Sequence, residues 1–265
     1  MFKSLMVSVD SSNALASRVR LSVDLAKRYN ARLIGVGAHN FIPFPTDGLS
    51  PETIESLERE GLQQKIEEAE TRFRRLASEA SQVSCRFDIE APEIHLSRQA
   101  RAADLLIVGA RSADYSPMSP NVGDVVMTAG RPVLVVPPNT DHLIAKRIVI
   151  AWKDSRECRR SVQDALPFLT LADEIWVASI GSPQDDEGAK DVAEYLDFRG
   201  MKAHVFSRPD AAERVTEELF GLAERSAADL IIAGAYGHSR TREWIFGGVT
   251  QDLLDKSPVP CLLAH

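Results

Sequence analysis

The chain is short of cysteine, of basic charge and of long apolar runs, and each shortage removes a class of protein. Its three cysteines, Cys85, Cys158 and Cys261, are odd in number and widely spaced, which suits neither a disulfide framework nor a zinc site. Acidic residues outnumber lysine and arginine 38 to 31, for a net charge of −7. Such a chain lacks the basic footprint of a nucleic-acid binder or of a protein drawn to anionic membranes. No stretch approaches the roughly 18 apolar residues of a membrane span. The opening residues, Met1 to Asp10, turn polar too soon for a signal peptide, so the expected compartment is the cytoplasm. The histidines at 39, 95, 142, 204, 238 and 265 show no metal-ligand spacing. There is no Gly-Lys-[Ser/Thr] phosphate loop, no G-x-G-x-x-G after an opening strand and no Gly-x-Ser-x-Gly elbow. Neither a catalytic residue nor a metal ligand is assigned.

What is present is ordinary in bulk and repetitive in detail. Hydrophobic residues make up 44% and charged residues 26% of 265 positions, a soluble globular composition with room for two domains. The segment beginning Lys3-Ser4-Leu5-Met6-Val7 parallels Lys146-Arg147-Ile148-Val149-Ile150. Ala102-Ala103-Asp104-Leu105-Leu106-Ile107-Val108-Gly109 parallels Ala227-Ala228-Asp229-Leu230-Ile231-Ile232-Ala233-Gly234. Pro132-Val133-Leu134-Val135 parallels Pro260-Cys261-Leu262-Leu263. Three landmarks in the same order predict a tandem duplication, with units at 1–140 and 146–265 joined by the polar stretch from Pro137 to His142.

Each unit alternates strand and helix. In the first, strands are expected at 4–9, 33–37, 86–90, 105–108 and 133–136. Ser11, Ser12 or Asn13 is placed to cap a helix carrying Leu15, Val19, Val23 and Ala26 on one stripe. Ser50-Pro51-Glu52 opens a long amphipathic helix running to about residue 82, and another lies near 93–101. In the second, strands are expected near 148–152, 174–180, 202–206, 230–233 and 261–264, with helices near 156–169, 188–199, 211–227 and 248–256. Alternation of this kind predicts an α/β fold of two tandem, doubly wound, parallel five-stranded sheets with flanking helices. Ligands of such sheets sit beyond the carboxyl ends of the strands. Cys261 reads as a small core residue; Cys158, on the first helix of the second unit, is left room to be partly exposed.

Beyond strand 230–233 the chain runs Gly234-Ala235-Tyr236-Gly237-His238 and, nine residues after Gly237, Gly247-Gly248-Val249-Thr250. A strand, a glycine-punctuated loop and a helix start together offer close backbone approach and unpaired N–H groups, which suit phosphate. The spacing G-x2-G-x9-G resembles the nucleotide-binding signature of the universal stress protein family, G-x2-G-x9-G-[S/T], with Gly248 where that family has Ser or Thr. The resemblance extends over the whole chain as a tandem pair and implies an adenine nucleotide alpha hydrolase-like fold. It implies an adenine nucleotide, ATP or a relative, held by Gly234, Gly237, His238, Gly247, Gly248 and Val249, with Thr250 offering a hydroxyl from a shifted position. The family's aspartate after the first strand is matched by Asp10 in the first unit. In the second, Lys153 takes its place and Asp154 is displaced by one; both are candidates for the site.

The first unit has Asp10 but a broken loop. Ser112 replaces the second glycine, Pro117 and Pro120 interrupt the spacer, and Asp124 stands where a hydroxyl belongs. That loop is read as unable to bind ATP. The resemblance implies a cytoplasmic stress-response protein binding an adenine nucleotide in its second half, with at most weak ATP hydrolysis. The alternative is a scaffold, or a protein for another small ligand, whose nucleotide sites have eroded. The two halves are expected to join through strands 132–136 and 260–264, since an exposed apolar edge invites aggregation. A homodimer is a further expectation; nucleic acid and membrane partners are not expected.

Overall fold

The computed structural model describes residues 1–41, 51–111, 116–236 and 248–265, with 51–58 as backbone alone. The first half runs β1 (Ser4–Ser8), α1 (Leu15–Tyr29), β2 (Arg32–Ala38), α2 (Pro51–Leu76), β3 (Val83–Asp88), α3 (Pro92–Gln99), β4 (Leu105–Gly109), α4 (Val122–Thr128) and β5 (Val133–Val136). The second half runs β6 (Arg147–Trp152), α5 (Arg156–Asp164), α6 (Leu166–Leu169), β7 (Glu174–Ile180), α7 (Asp185–Phe198), β8 (Ala203–Arg208), α8 (Val215–Arg225), β9 (Leu230–Gly234), α9 (Gly248–Lys256) and β10 (Cys261–Ala264). Every strand pair within a half is parallel.

The two five-stranded sheets are fused. Strand β5 pairs antiparallel with β10, placing Cys261 opposite Val135 and Leu263 opposite Val133. The result is one ten-stranded sheet in the order β3-β2-β1-β4-β5-β10-β9-β6-β7-β8. All eight residues of the two joining strands are buried, which explains their apolar composition: each is a central strand, not an edge.

The repeated landmarks do the same work in both halves. The Asp104 carboxylate accepts the N–H groups of Lys3 and Ser4, at 2.6 and 2.9 Å. Asp229 accepts those of Lys146 and Arg147, each at 3.1 Å. The backbone repeats too: the N–H of Ala110 donates to Val136 and that of Ala235 to Ala264, both at 2.8 Å. These aspartates satisfy N–H groups at strand starts, where the ladder supplies no partner.

Period-2 alternation sends side chains to two layers. Leu5 and Val7 face one with Ile148 and Ile150; Met6 faces the other with Leu106 and Val149. Each layer contains residues of both halves. Across the seam Phe2, Tyr29 and Phe168 pack edge to face with centroids 5.2 to 5.9 Å apart. The Tyr29 hydroxyl donates to the carbonyl of Pro167 at 3.0 Å.

Some local expectations are corrected. Helix α1 has Ala14 at its N-cap with no side-chain cap, because the Ser12 hydroxyl donates to Asp10 instead. Strand β3 starts at Val83 and ends at Asp88, earlier than read; its half-buried pattern carries no clean alternation. Helix α2 ends at Leu76, short of residue 82. The helix expected over 156–169 is divided at Ala165, and Pro167 lies in the first turn of its second piece, where its missing N–H is tolerated. Helix α4 was not foreseen; Asn121 caps it by accepting the N–H groups of Gly123 and Asp124.

Cys158 is buried, at 1% exposure, and Cys261 at 0%. Burial pushes the Cys261 thiol up to about 12 and raises that of Cys158. Burial likewise moves Tyr29 up to about 12 and Cys85 to about 11, although Arg74 pulls the Cys85 thiol down. The unfolded chain loses these protons first, so the stability they carry is whole below about pH 8.5 and falls as pH rises from there towards 12. Urea midpoints measured from pH 7 to 11 should be level at first and then decline. A midpoint that rises above pH 9 contradicts this.

Candidate functional site

The glycine signature of the second half leaves the sheet at the carboxyl end of β9, beside that of β6. Gly234 closes the strand, and its lack of a side chain is used by the fold. A Cβ there would stand 2.5 Å from the Cys158 backbone nitrogen and 2.8 Å from the Glu157 carbonyl carbon. The first turn of α5 lies directly on Gly234. Tyr236 follows with φ of 60°, a left-handed conformation uncommon outside glycine, and is buried. Gly237, His238 and Gly247 lie outside the described residues.

The chain is described again at Gly248, the first residue of α9. Gly248 is exposed, and among the described residues nothing lies within 4 Å of where its Cβ would be. The N–H groups of this first turn lack helical partners and carry partial positive charge, as phosphate binding requires. Val249 is half-buried. Thr250 is 7% exposed, turned into the protein instead of offering its hydroxyl to solvent.

Beyond β6, Lys153 is exposed. The Asp154 carboxylate is held by Arg159, and its N–H donates to Asp185 at 3.0 Å. Ser155 caps α5, its hydroxyl oxygen accepting the Cys158 N–H at 3.2 Å. Glu157, in the first turn, is buried against Gly234. Burial would raise its carboxyl, but a backbone N–H and the paired Arg156 hold it below the usual range. The carboxyl end of β6 thus carries Lys153, Arg156 and Arg159 interleaved with Asp154, Glu157 and Asp185.

The equivalent position in the first half is filled by its own residues. Asp10, 4% exposed, receives the Arg18 guanidinium at 2.8 Å, the Ser12 hydroxyl at 2.5 Å and the Ser12 N–H at 3.0 Å. Arg18 is itself 2% exposed, and its Nε donates to the Ser8 carbonyl at 3.1 Å. Its Nη1 lies 2.3 Å from where a Cβ on Gly109 would stand. An arginine therefore occupies the space between the family's aspartate and the family's first glycine. Ser116 and Ser119 lie over it: Ser116 and Ser11 share a hydrogen bond of 2.6 Å, and the Ser119 hydroxyl reaches Asp10 at 3.5 Å. Nearby, a cavity of about 10 Å³ lies beside Ser8, Val36, Met118 and Pro120, room for about one water.

Arg18 was missed in the sequence. It lies one residue from Val19 on a helix whose stripe is apolar, and an arginine there reads as surface. Its only signal is position, three residues after Leu15, on the buried face. The structure brings Gly234, Glu157 and Cys158 together, and sets Lys153 and Asp154 at the end of the neighbouring strand. Among the described residues no helix is long and apolar enough to cross a membrane.

Comparison with known proteins places this architecture. The chain is similar to a universal stress protein of Synechocystis sp. (strain ATCC 27184 / PCC 6803 / Kazusa), 26% identical over 168 residues. That alignment spans 60% of this chain and 57% of the relative. Among solved structures it resembles a universal stress protein from Archaeoglobus fulgidus DSM 4304, with a TM-score of 0.75 at 14% identity over 98% of this chain and 95% of that one. A functionally unknown protein from Pseudomonas aeruginosa PAO1 gives 0.60 at 14% identity, over 99% and 92%. These likenesses show the fold. The model of the Universal stress protein family matches residues 1–137 and 212–265, nearly three quarters of the chain. It passes over β6 to β8, the stretch where Lys153 displaces the aspartate. With both glycine-ended strands, Gly109 and Gly234, inside the matched segments, the chain belongs to the universal stress protein family.

Proposed function

We propose that this protein binds one adenine nucleotide per chain, ATP or a relative, in its second half, as part of a cytoplasmic stress response. The reading takes the chain as two family units, at 1–140 and 146–265. The observation that carries it is the asymmetry between the halves. In the first, Arg18 neutralises Asp10 and fills the space against Gly109. In the second, α5 meets Gly234 through backbone, and the first turn of α9 opens at an exposed Gly248 with no described residue within 4 Å of its Cβ position. Phosphates would lie along residues 234–250, on the N–H groups that start α9. Gly237, His238, Gly247 and Val249 complete that wall in the signature, and Lys153 would meet phosphate from β6. Hydrolysis is expected to be weak at most.

A second reading has a specific observation in its favour. Lys153 is exposed where the aspartate belongs, and Asp154 is taken up by Arg159. The carboxylate that would face adenosine is missing, and this suits a different small anion, or a scaffold working through protein contacts. Mass spectrometry of small molecules released from the purified protein separates the two. The nucleotide reading expects ATP, ADP or AMP in the eluate and a rise in melting temperature on adding ATP. An eluate free of nucleotide, with an unmoved melting temperature, rejects it in favour of the second.

A further inference from the structure

Apart from the strand ends just described, three side chains converge at the outer edge of the first half. Asp88 ends β3, Glu90 lies in the turn that follows, and His95 sits in α3. One ligand atom from each lies within 4.8 Å of the other two. His95 is 3% exposed, whereas the side chains of Glu90 and Asp88 are 25% and 55% exposed, so the group opens to solvent on its carboxylate side. The His95 Nδ1 stands 3.3 Å from a Glu90 oxygen and 4.0 Å from an Asp88 oxygen.

One cation already sits among them. Nη2 of Arg98 is 2.7 Å from Glu90, 3.6 Å from Asp88 and 3.4 Å from Nδ1 of His95. Nε2 of His95 stands 3.4 Å from the Arg86 carbonyl, where an Nε2–H would donate, which leaves Nδ1 facing Glu90 and the guanidinium. A ring nitrogen tied to a backbone carbonyl, with the other nitrogen facing carboxylates, is the arrangement found around metal-bound histidine. The spacing agrees. Bonds of about 2.0–2.2 Å to nitrogen and oxygen place neighbouring tetrahedral ligands about 3.3–3.6 Å apart. The His95–Glu90 distance of 3.3 Å falls in that interval, and the His95–Asp88 distance of 4.0 Å lies just outside it.

We propose that Asp88, Glu90 and His95 form a site for a divalent transition-metal ion of the Zn2+ class, for which Arg98 is the resident competitor. One imidazole and two carboxylates suit a borderline ion better than Mg2+, which seeks oxygen and water. Arg98 is half-exposed on the last turn of α3, so it can swing into solvent as the ion enters. The site lies on the outermost strand of the sheet, six strands from β9, and does not depend on nucleotide binding.

Titration calorimetry of the full chain with Zn2+, and separately with Mg2+, tests this. Wild type should bind Zn2+ and give no comparable heat with Mg2+. Asp88→Asn and His95→Gln should each weaken Zn2+ binding by roughly 10- to 100-fold. Arg98→Gln should strengthen it by about three- to tenfold, the reach of two partly exposed ion pairs, and Zn2+ should then raise the melting temperature. Should His95→Gln fail to fold, Asp88→Asn, at an exposed position, still decides. Zn2+ affinity unchanged by Asp88→Asn, or lowered by Arg98→Gln, or no Zn2+ binding at all, overturns the site.

Discussion

Replacing Arg18 by methionine is expected to destabilise the protein by about 3–5 kcal/mol, because it strands the Asp10 carboxylate in the core. Asp10 and Arg18 are 4% and 2% exposed and 2.8 Å apart. The Ser12 contacts that remain are two hydrogen bonds, of 2.5 and 3.0 Å, and cannot replace a full counter-charge. Methionine keeps most of the arginine stem's volume, so the loss reports charge more than packing. The double variant Arg18→Met with Asp10→Asn should recover most of the stability, since the amide oxygen can still accept from Ser12 while the charge is gone. Urea denaturation of the three proteins measures this. A single-variant loss under about 1 kcal/mol would mean the pair is solvated. A double variant no better than the single would mean that packing, not charge, governs the site.

The second large effect separates two glycines of one signature. Gly234→Ala should cost about 1–3 kcal/mol or more, since its Cβ would meet the backbone of α5 at 2.5 and 2.8 Å and backbone cannot rotate aside. Gly248→Val should change stability by no more than about 0.5 kcal/mol, because Gly248 is exposed and no described residue lies within 4 Å of its Cβ position. A residue shared by a binding signature can thus be a packing residue. Loss of ATP binding in Gly234→Ala would report the fold; loss in Gly248→Val, with the melting temperature held, would report the ligand.

Most of the fold was legible because the chain is written twice. Strands 133–136, 174–180 and 261–264 match the structure residue for residue. Two of them follow a proline that fixes the start and are buried apolar runs; the third, Glu174–Ile180, is mostly apolar with alternate residues buried at its start. The fusion of the halves through β5 and β10 was also legible, from two short apolar strands that could not be left as edges. Helix α4 was hidden by its seven residues, too few to show a period, and by the prolines before it. The candidate site was less readable. A glycine looks the same whether it faces a ligand or a helix, and only the backbone of α5 on Gly234 tells them apart. Arg18 and His95 were unreadable for a shared reason: each is a polar residue made buriable by partners that the fold brings to it.

Titration calorimetry with ATP, on wild type and on Gly248→Val, tests the central claim of one working nucleotide site in the second half. Wild type should bind one nucleotide per chain. Gly248→Val should lower the affinity beyond tenfold, more than about 1.4 kcal/mol, with an unchanged melting temperature. Two nucleotides per chain would show that the Arg18-filled half binds after all. No binding by wild type, or full affinity in folded Gly248→Val, would contradict the site on residues 234–250.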